Sequence, residues 1–284
     1  MKSKPTMTLD RLLSRYGIAS RRVAREAVLG GRVQVNGRVL RDPECWVRPG
    51  EDLVQLDGRR LRRESSVYLA FYKPKGVIVS HGDPAGRKTI YDCLGRQSRW
   101  ISPAGRLDKD TSGLLLLTND TEFAHFVSSP ESGVPKTYWV KVSGLMGDET
   151  IARLRGGVRM KRGDAARPLA VRRLEDRRKY TWLEVVLTEG KNREVRRMVE
   201  AVGFTVLKLV RTAIGPLTLA GLEVGRSRPL TPGEVAALRK TAAARLGGHS
   251  RKSGNPLREE APLESRFPFP RVRGGPASGK RPHP

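Results

Sequence analysis

The chain has 284 residues, with 55 Lys and Arg against 29 Asp and Glu and a formal net charge of +26. That length holds one large or two modest domains plus a tail, and a cationic excess spread along the chain favours phosphate backbones as partners. No apolar stretch approaches the roughly 20 residues of a membrane-spanning helix, and Met1-Lys2-Ser3-Lys4-Pro5 lacks the apolar segment of a secretory signal, so a cytoplasmic protein without a membrane partner is expected.

Cys45 and Cys93 are the only cysteines and form no Cys-x-x-Cys pair. They fit a reducing compartment, packing as small apolar groups. His81, His125, His249 and His283 are scattered, with no metal-ligand spacing. The sequence contains neither a Gly-x-x-x-x-Gly-Lys-Ser/Thr loop nor a Gly-x-Ser-x-Gly elbow. Metal, nucleoside triphosphate and serine-hydrolase chemistry therefore lack local support.

Leu9, Leu12, Leu13 and Tyr16 follow helical spacing up to Gly17. Ser20 is placed to cap a second helix running to Leu29, which Gly30-Gly31 stops. Arg32 to Leu40 alternates around Asn36-Gly37, a hairpin signal, and Leu53 to Leu56 reads as a further strand. Arg11, Arg15, Arg21, Arg22 and Arg25 cluster on and between the helices. Charge alone leaves them either a solvated face or an RNA contact. In this order, helix, turn, helix and Val-x-Val-Asn-Gly resemble the S4 RNA-binding domain over residues 7–65. A DNA-binding helix-turn-helix is the rival reading, disfavoured by the hairpin that follows so closely.

Residues 59–66 read as a polar linker. Beyond them, 67–240 forms a second expected domain. Val67 to Tyr72 is a predicted strand ending at Lys73-Pro74-Lys75-Gly76, and Val77 to Ser80 resumes it. Gly105-Arg106-Leu107-Asp108-Lys109-Asp110-Thr111-Ser112-Gly113 precedes Leu114 to Leu117, an apolar run too short for a long helix and read as a buried strand. Phe123, Phe126 and Val127 mark a short helix. Lys136 to Val142 and Thr181 to Leu187 alternate as strands. Val195, Met198, Val199 and Val202 share a helix face ended by Gly203, and Thr205 to Val210 is another strand. Thr231-Pro232-Gly233-Glu234 is a capping box opening a last helix to about Lys240. Strands outnumber helices without strict alternation, which gives an α+β fold with a mixed or antiparallel sheet. Residues 241–284 read as a disordered basic tail. From 245 onward they carry nine Lys and Arg against three Glu. Such a tail either adds phosphate contacts or merely solubilises.

The chemistry centres on Asp108, one carboxylate in a glycine-bounded turn among basic residues. An Asp there also serves as a simple turn cap. Two other segments shift that balance. Lys136-Thr137-Tyr138 offers an aromatic early in a strand, and Glu189-Gly190-Lys191-Asn192-Arg193-Glu194-Val195-Arg196-Arg197-Met198 offers cations at a helix start, a place suited to anions.

In order and spacing these segments resemble the ribosomal-RNA pseudouridine synthases that carry an N-terminal S4 domain. Pseudouridine formation breaks the C1′–N1 bond of a uridine, turns the uracil and rejoins it through C5. It calls for an acid acting as nucleophile or base, a cation to hold that acid ionised and placed, and an aromatic face for a flipped-out base. The resemblance puts the catalytic Asp at Asp108 and the active-site Tyr at Tyr138. The Arg that pairs with the Asp falls most naturally on Arg196, with Arg193 and Arg197 as neighbours. Arg106 then lies near the flipped nucleotide, Lys73 is structural or RNA-facing, and Lys191, Arg193 and Arg197 join the arginines of the first domain in holding RNA. No cofactor or metal is implied, because no redox step or group transfer occurs. The expected partner is ribosomal RNA or a subunit-assembly intermediate, bound by a monomer. The wording of the Asp108 segment and the basic tail incline the resemblance toward large-subunit enzymes, with the small-subunit enzyme as the alternative. A non-catalytic RNA-binding assembly factor of the same fold is the rival function, and a DNA-binding regulator a third.

Overall fold

The structure, a computed structural model, describes residues 6–17, 20–62, 65–95, 100–160 and 163–246. The N-terminal part runs β1 (Met7–Thr8), α1 (Leu9–Arg15), α2 (Arg21–Leu29), β2 (Val33–Val35), β3 (Arg38–Leu40), β4 (Trp46–Val47), β5 (Val54–Leu56) and β6 (Arg59–Arg60). The Ser20 hydroxyl accepts from the Val23 N–H at 3.2 Å and so caps α2, as its position predicts. Asn36 and Gly37 both take positive φ, the geometry that lets a two-residue turn join twisted strands. Leu9, Leu12, Leu13, Ala24, Ala27 and Val28 pack on Val33, Val35, Val47 and Val54 in a core of their own. The expected linker is partly structured, since Arg59–Arg60 pairs with β5 through Gln55 and Leu56.

The second part continues with β7 (Tyr68–Lys73), α3 (Ile90–Leu94), β8 (Ser102–Pro103), β9 (Ser112–Thr118), α4 (Thr121–Ser128), β10 (Lys136–Ser143), α5 (Asp148–Gly156), β11 (Val158–Arg159) and β12 (Ala165–Ala166). It ends with β13 (Ala170–Arg177), β14 (Tyr180–Leu187), α6 (Glu194–Ala201), β15 (Val206–Ile214), β16 (Leu217–Thr218), β17 (Ser227–Pro229) and α7 (Pro232–Leu246). One sheet has the order β13-β14-β10-β15-β9-β7-β17, with β8 beside β9 and β16 beside β15. The β15–β9 pairing is parallel and the others antiparallel, which makes the sheet mixed, as the α+β reading expects. Phe71, Leu115, Val140, Leu183, Val185 and Leu209 line one face, beneath Ile90 of α3, Ile151 and Leu154 of α5, and Val195, Met198 and Val199 of α6.

Two expectations are corrected, and one strand is new. Val77 to Ser80 is not a strand. Gly76 has φ +88°, and beyond it the chain makes only an isolated bridge between Ile78 and Thr89. The edge strand β13 escaped notice because its run of charges hides any alternation. The last helix passes Lys240 and reaches Leu246, so the first residues assigned to the tail are helical; the rest of the expected disordered tail lies outside the described residues. The two cores are tied together. Arg15 of α1 pairs with Glu122 of α4 at 2.5 Å, and Asn119 fastens the connecting segment to the second part, accepting from the Val67 N–H at 2.7 Å and donating to the Ser65 carbonyl at 3.1 Å.

The capping box of α7 forms as expected, with the Glu234 N–H donating to Thr231 Oγ1 at 3.2 Å and the Thr231 N–H to Glu234 Oε2 at 2.8 Å. Arg228 grips the same carboxylate with Nη2 and Nη1, at 2.7 and 3.0 Å, and chiefly these bonds hold Glu234 down at about 2. A folded value below the ordinary 4.5 means stability that is present above that pH and fades as pH falls toward about 2. Glu234→Gln is expected to cost on the order of 1 kcal/mol at pH 7, because the pair is partly exposed and screened. Thermal melts of the two proteins should converge as the solution is acidified through that window.

Candidate active site

The turn that carries Asp108 is held from below. Its ends are joined by the Thr111 N–H donating to the Asp108 carbonyl at 3.1 Å, and Leu107 is buried beside it. Lys73, at the end of β7, is fully buried, and its Nζ donates to the carbonyls of Thr111 at 2.8 Å and Pro74 at 2.9 Å. Burial pushes Lys73 down to about 8, opposed by the charges of Asp108 and Asp110. Of the two roles expected for Lys73, structural or RNA-facing, its burial fits the first. A side chain with no exposed surface cannot touch RNA, and its ammonium anchors the turn instead.

The floor comes from β10 and β15. Lys136 and Tyr138, two residues apart in a strand, point to the same face. The pairing of β10 with β15 slips between Thr137, opposite Ala213, and Tyr138, opposite Arg211. That bulge at Thr212 brings Arg211 directly across from Tyr138, on the cavity side of the sheet. Arg211 donates from Nε to the Leu114 carbonyl at 2.7 Å. Tyr138 is 8% exposed, and its hydroxyl has no hydrogen-bond partner among the described residues.

The third wall is the approach to α6. Arg193 takes a left-handed conformation, φ +49°, just before the helix, and the Lys191 N–H donates to Glu194 Oε2 at 3.0 Å. Arg196 points inward from the first turn and is buried. Its Nη2 donates to the Asp110 carbonyl at 3.0 Å and its Nη1 to the Val206 carbonyl at 3.4 Å, while Nε is buried without a partner among the described residues. The expected ion pair with Asp108 is not formed. Arg196 lies within the field of Asp108 and Asp110, which oppose the downward push of burial and of Arg193 on its pKa. Its direct contact is with the backbone of the turn, where it acts as a strut between α6 and β9. The Asp108 carboxylate has no side-chain hydrogen bond or ion pair among the described residues.

These three elements enclose a cavity of about 520 Å³. Asp108, Tyr138, Arg106, Lys191 and Arg193, all expected from the sequence, line it. So do Lys136, Arg211 and Glu194, which the sequence reading missed, and the apolar Ile78, Val79, Leu209 and Ile214. Lys73 and Arg196 stand behind its wall. Arg197 turns away and pairs with Asp164 at 2.5 Å, so it is not part of the cavity as expected. Burial raises the Glu194 carboxyl. In the N-terminal core Arg21 pairs with the buried Asp10, while Arg22–Glu26 and Arg25–Glu44 are exposed pairs that a phosphate can displace at little cost. Arg15, held by Glu122, is less free for RNA than expected. Arg11 is exposed and has no ion-pair partner among the described residues.

Residues 7–53 match the S4 domain, and residues 67–201 match the family described as RNA pseudouridylate synthase. A Bacillus subtilis protein named ribosomal large subunit pseudouridine synthase B is 42% identical over 235 residues, covering 82% of this chain and 96% of that one. The chain belongs to the RNA pseudouridine synthase family. Among other members, a Yersinia pestis protein of the same name is 39% identical over 219 residues, covering 74% of this synthase and 68% of its own length. An Aquifex aeolicus RNA pseudouridine synthase is 36% identical over 245 residues, covering 86% and 98%. A crystal structure of a pseudouridylate synthase superposes with a TM-score of 0.59 at 28% identity, covering 82% of this chain and 99% of that one. This synthase therefore joins an S4 domain to the family's sheet, and most of the cavity lining falls within residues 67–201, with Leu209, Arg211 and Ile214 beyond them. Among the described residues, no helix is long and apolar enough to cross a membrane.

Proposed function

We infer that this synthase isomerises a specific uridine of large-subunit ribosomal RNA to pseudouridine in the cytoplasm, with Asp108 acting on the reacting nucleotide. The observation that carries this reading is the Asp108 carboxylate, unpaired among the described residues and lining a cavity whose other charged groups are mostly cations. A flipped uridine entering that cavity meets the Tyr138 ring on the floor, a surface on which a base can lie. Asp108 serves as nucleophile or base while the C1′–N1 bond breaks and C1′ joins C5. The proton lost from C5 is matched by one gained at N1, so no cofactor is called for. Arg196 and Lys73 hold the Asp108 turn through its carbonyls, which makes them positioning residues in this scheme.

Residues 7–65 act as a separate RNA-binding domain ahead of the catalytic domain at 67–240, a division supported by the two hydrophobic cores. The names of the Bacillus subtilis and Yersinia pestis relatives favour the large subunit over the small one. Pseudouridine mapping of ribosomal RNA from cells with and without the gene tests the reading. One large-subunit site should vanish on deletion and return with the intact gene. An unchanged map would favour a non-catalytic assembly factor, and a lost small-subunit site would overturn the substrate assignment.

A further inference from the structure

Two of the cavity's cations have no evident task in that chemistry. Arg211 is 5% and Lys136 7% exposed, yet both line the cavity floor. Neither forms an ion pair among the described residues. Lys136 has one hydrogen bond, a long 3.5 Å to the Thr188 carbonyl. Arg211 spends Nε on the Leu114 carbonyl, and its Nη2 is buried with no partner among the described residues. The two also repel each other, since the charge of Arg211 adds to burial in pushing Lys136 down to about 8. Burying an unpaired cation is unfavourable, and a second beside it is worse. The rim cations Arg106, Lys191 and Arg193 are exposed and solvated, so they meet no such penalty.

An arrangement of this kind is relieved by an anion that arrives with the substrate. We propose that Lys136 and Arg211 form a phosphate subsite, which takes a backbone phosphate next to the target uridine. The inference rests on the RNA substrate proposed above. In such a substrate the uracil and ribose are neutral, and only the phosphodiester carries the charge that two buried cations call for. The placement is specific as well. Lys136 lies two residues before Tyr138 on one strand, and Arg211 lies opposite Tyr138 on the next. A phosphate held by both fixes the backbone beside the ring on which the base would lie. The subsite is thus a register device: it selects which nucleotide reaches Asp108.

The test has two arms. In the first, inorganic phosphate is added to the full-length protein, with chloride at equal ionic strength as the reference. Phosphate should raise the melting temperature of wild type and have a markedly smaller effect on Lys136→Met, which keeps the apolar stem. Equal shifts in the two proteins would overturn the subsite. This arm needs no isomerisation, so it stands even if the proposed function fails. In the second, a synthetic RNA stem-loop from large-subunit RNA, spanning the mapped uridine, carries one neutral methylphosphonate at each linkage around that uridine in turn. One position should weaken wild-type binding by about tenfold. Lys136→Met should weaken binding of unmodified RNA similarly, with a salt slope shallower by about 0.7. The two changes together should cost little more than either alone. Fully additive losses would overturn the proposal, as would a scan in which no neutral linkage weakens wild type, a result that requires no folded variant. A Lys136→Met protein with unchanged affinity and a slower single-turnover rate would place Lys136 on the base chemistry instead. Turnover of unmodified RNA by wild type, run alongside, tests the proposed function separately.

Discussion

Asp108→Asn is expected to abolish isomerisation while leaving the protein folded and bound to RNA. The substitution keeps the shape of the side chain and removes its charge. The carboxylate makes no side-chain hydrogen bond or ion pair among the described residues, so little folding energy depends on it. A change within about 0.5 kcal/mol in stability is expected for a half-exposed group of this kind. Loss of an essential nucleophile or base costs roughly 10⁴-fold or more in rate. RNA affinity should hold or rise, because a negative charge leaves a cavity built for a polyanion. Tritium release from 5-tritiated uridine under single-turnover conditions, set beside filter binding, reads both quantities. Activity within about tenfold of wild type, on the same scale of expected loss, would remove Asp108 from the chemistry.

Where one face of an element is buried, the sequence showed it. The spacing of Leu9, Leu12, Leu13 and Tyr16, the Ser20 cap, the Asn36-Gly37 turn and the apolar run from Leu114 to Leu117 all became the elements they predict. Elements with mixed surroundings were less legible. In β13 the charges of Arg172, Arg173, Glu175, Asp176 and Arg177 obscure the alternation, as suits an exposed sheet edge. Val77 to Ser80 has strand composition, but the turn at Gly76 carries it away from the sheet. The same distinction holds in the cavity. Asp108, Tyr138 and Arg106 were found because they sit in recognisable segments. Lys136 could have been found by the rule that placed Tyr138, since alternate strand residues share a face. Arg211 could not. Its side of the sheet depends on the bulge at Thr212, a register slip between strands some seventy residues apart in the chain that no local pattern records. Arg196 was expected to pair with Asp108, yet its contact is with the Asp110 backbone carbonyl rather than a carboxylate, a distinction of geometry that residue type does not encode.

Gly113→Ala is expected to damage both the fold and the site, for a reason the Asp-Thr-Ser-Gly wording conceals. Gly113 lies in the parallel pairing of β9 with β15, opposite Arg211. A Cβ on it would lie 2.3 Å from the Arg211 carbonyl oxygen and 2.5 Å from the Arg211 nitrogen. These are backbone atoms in the middle of a sheet, so neither can swing aside. The φ of +118° is also one that side-chain-bearing residues rarely adopt. Gly76→Ala separates the two effects, because Gly76 has a positive φ of +88° and nothing within 4 Å of the added carbon. The control should lose about 1–2 kcal/mol from backbone strain alone. Gly113→Ala should lose on the order of 4 kcal/mol, since β9 and β15 must part to admit the methyl group. Parting them moves Arg211 and the Thr111 end of the turn that Lys73 anchors, so any folded fraction should bind RNA weakly and turn over slowly. Chemical denaturation of the two variants against wild type gives the comparison. Equal losses at Gly76 and Gly113 would mean that the strands yield easily, and that the glycine serves the turn rather than the close approach of two backbones.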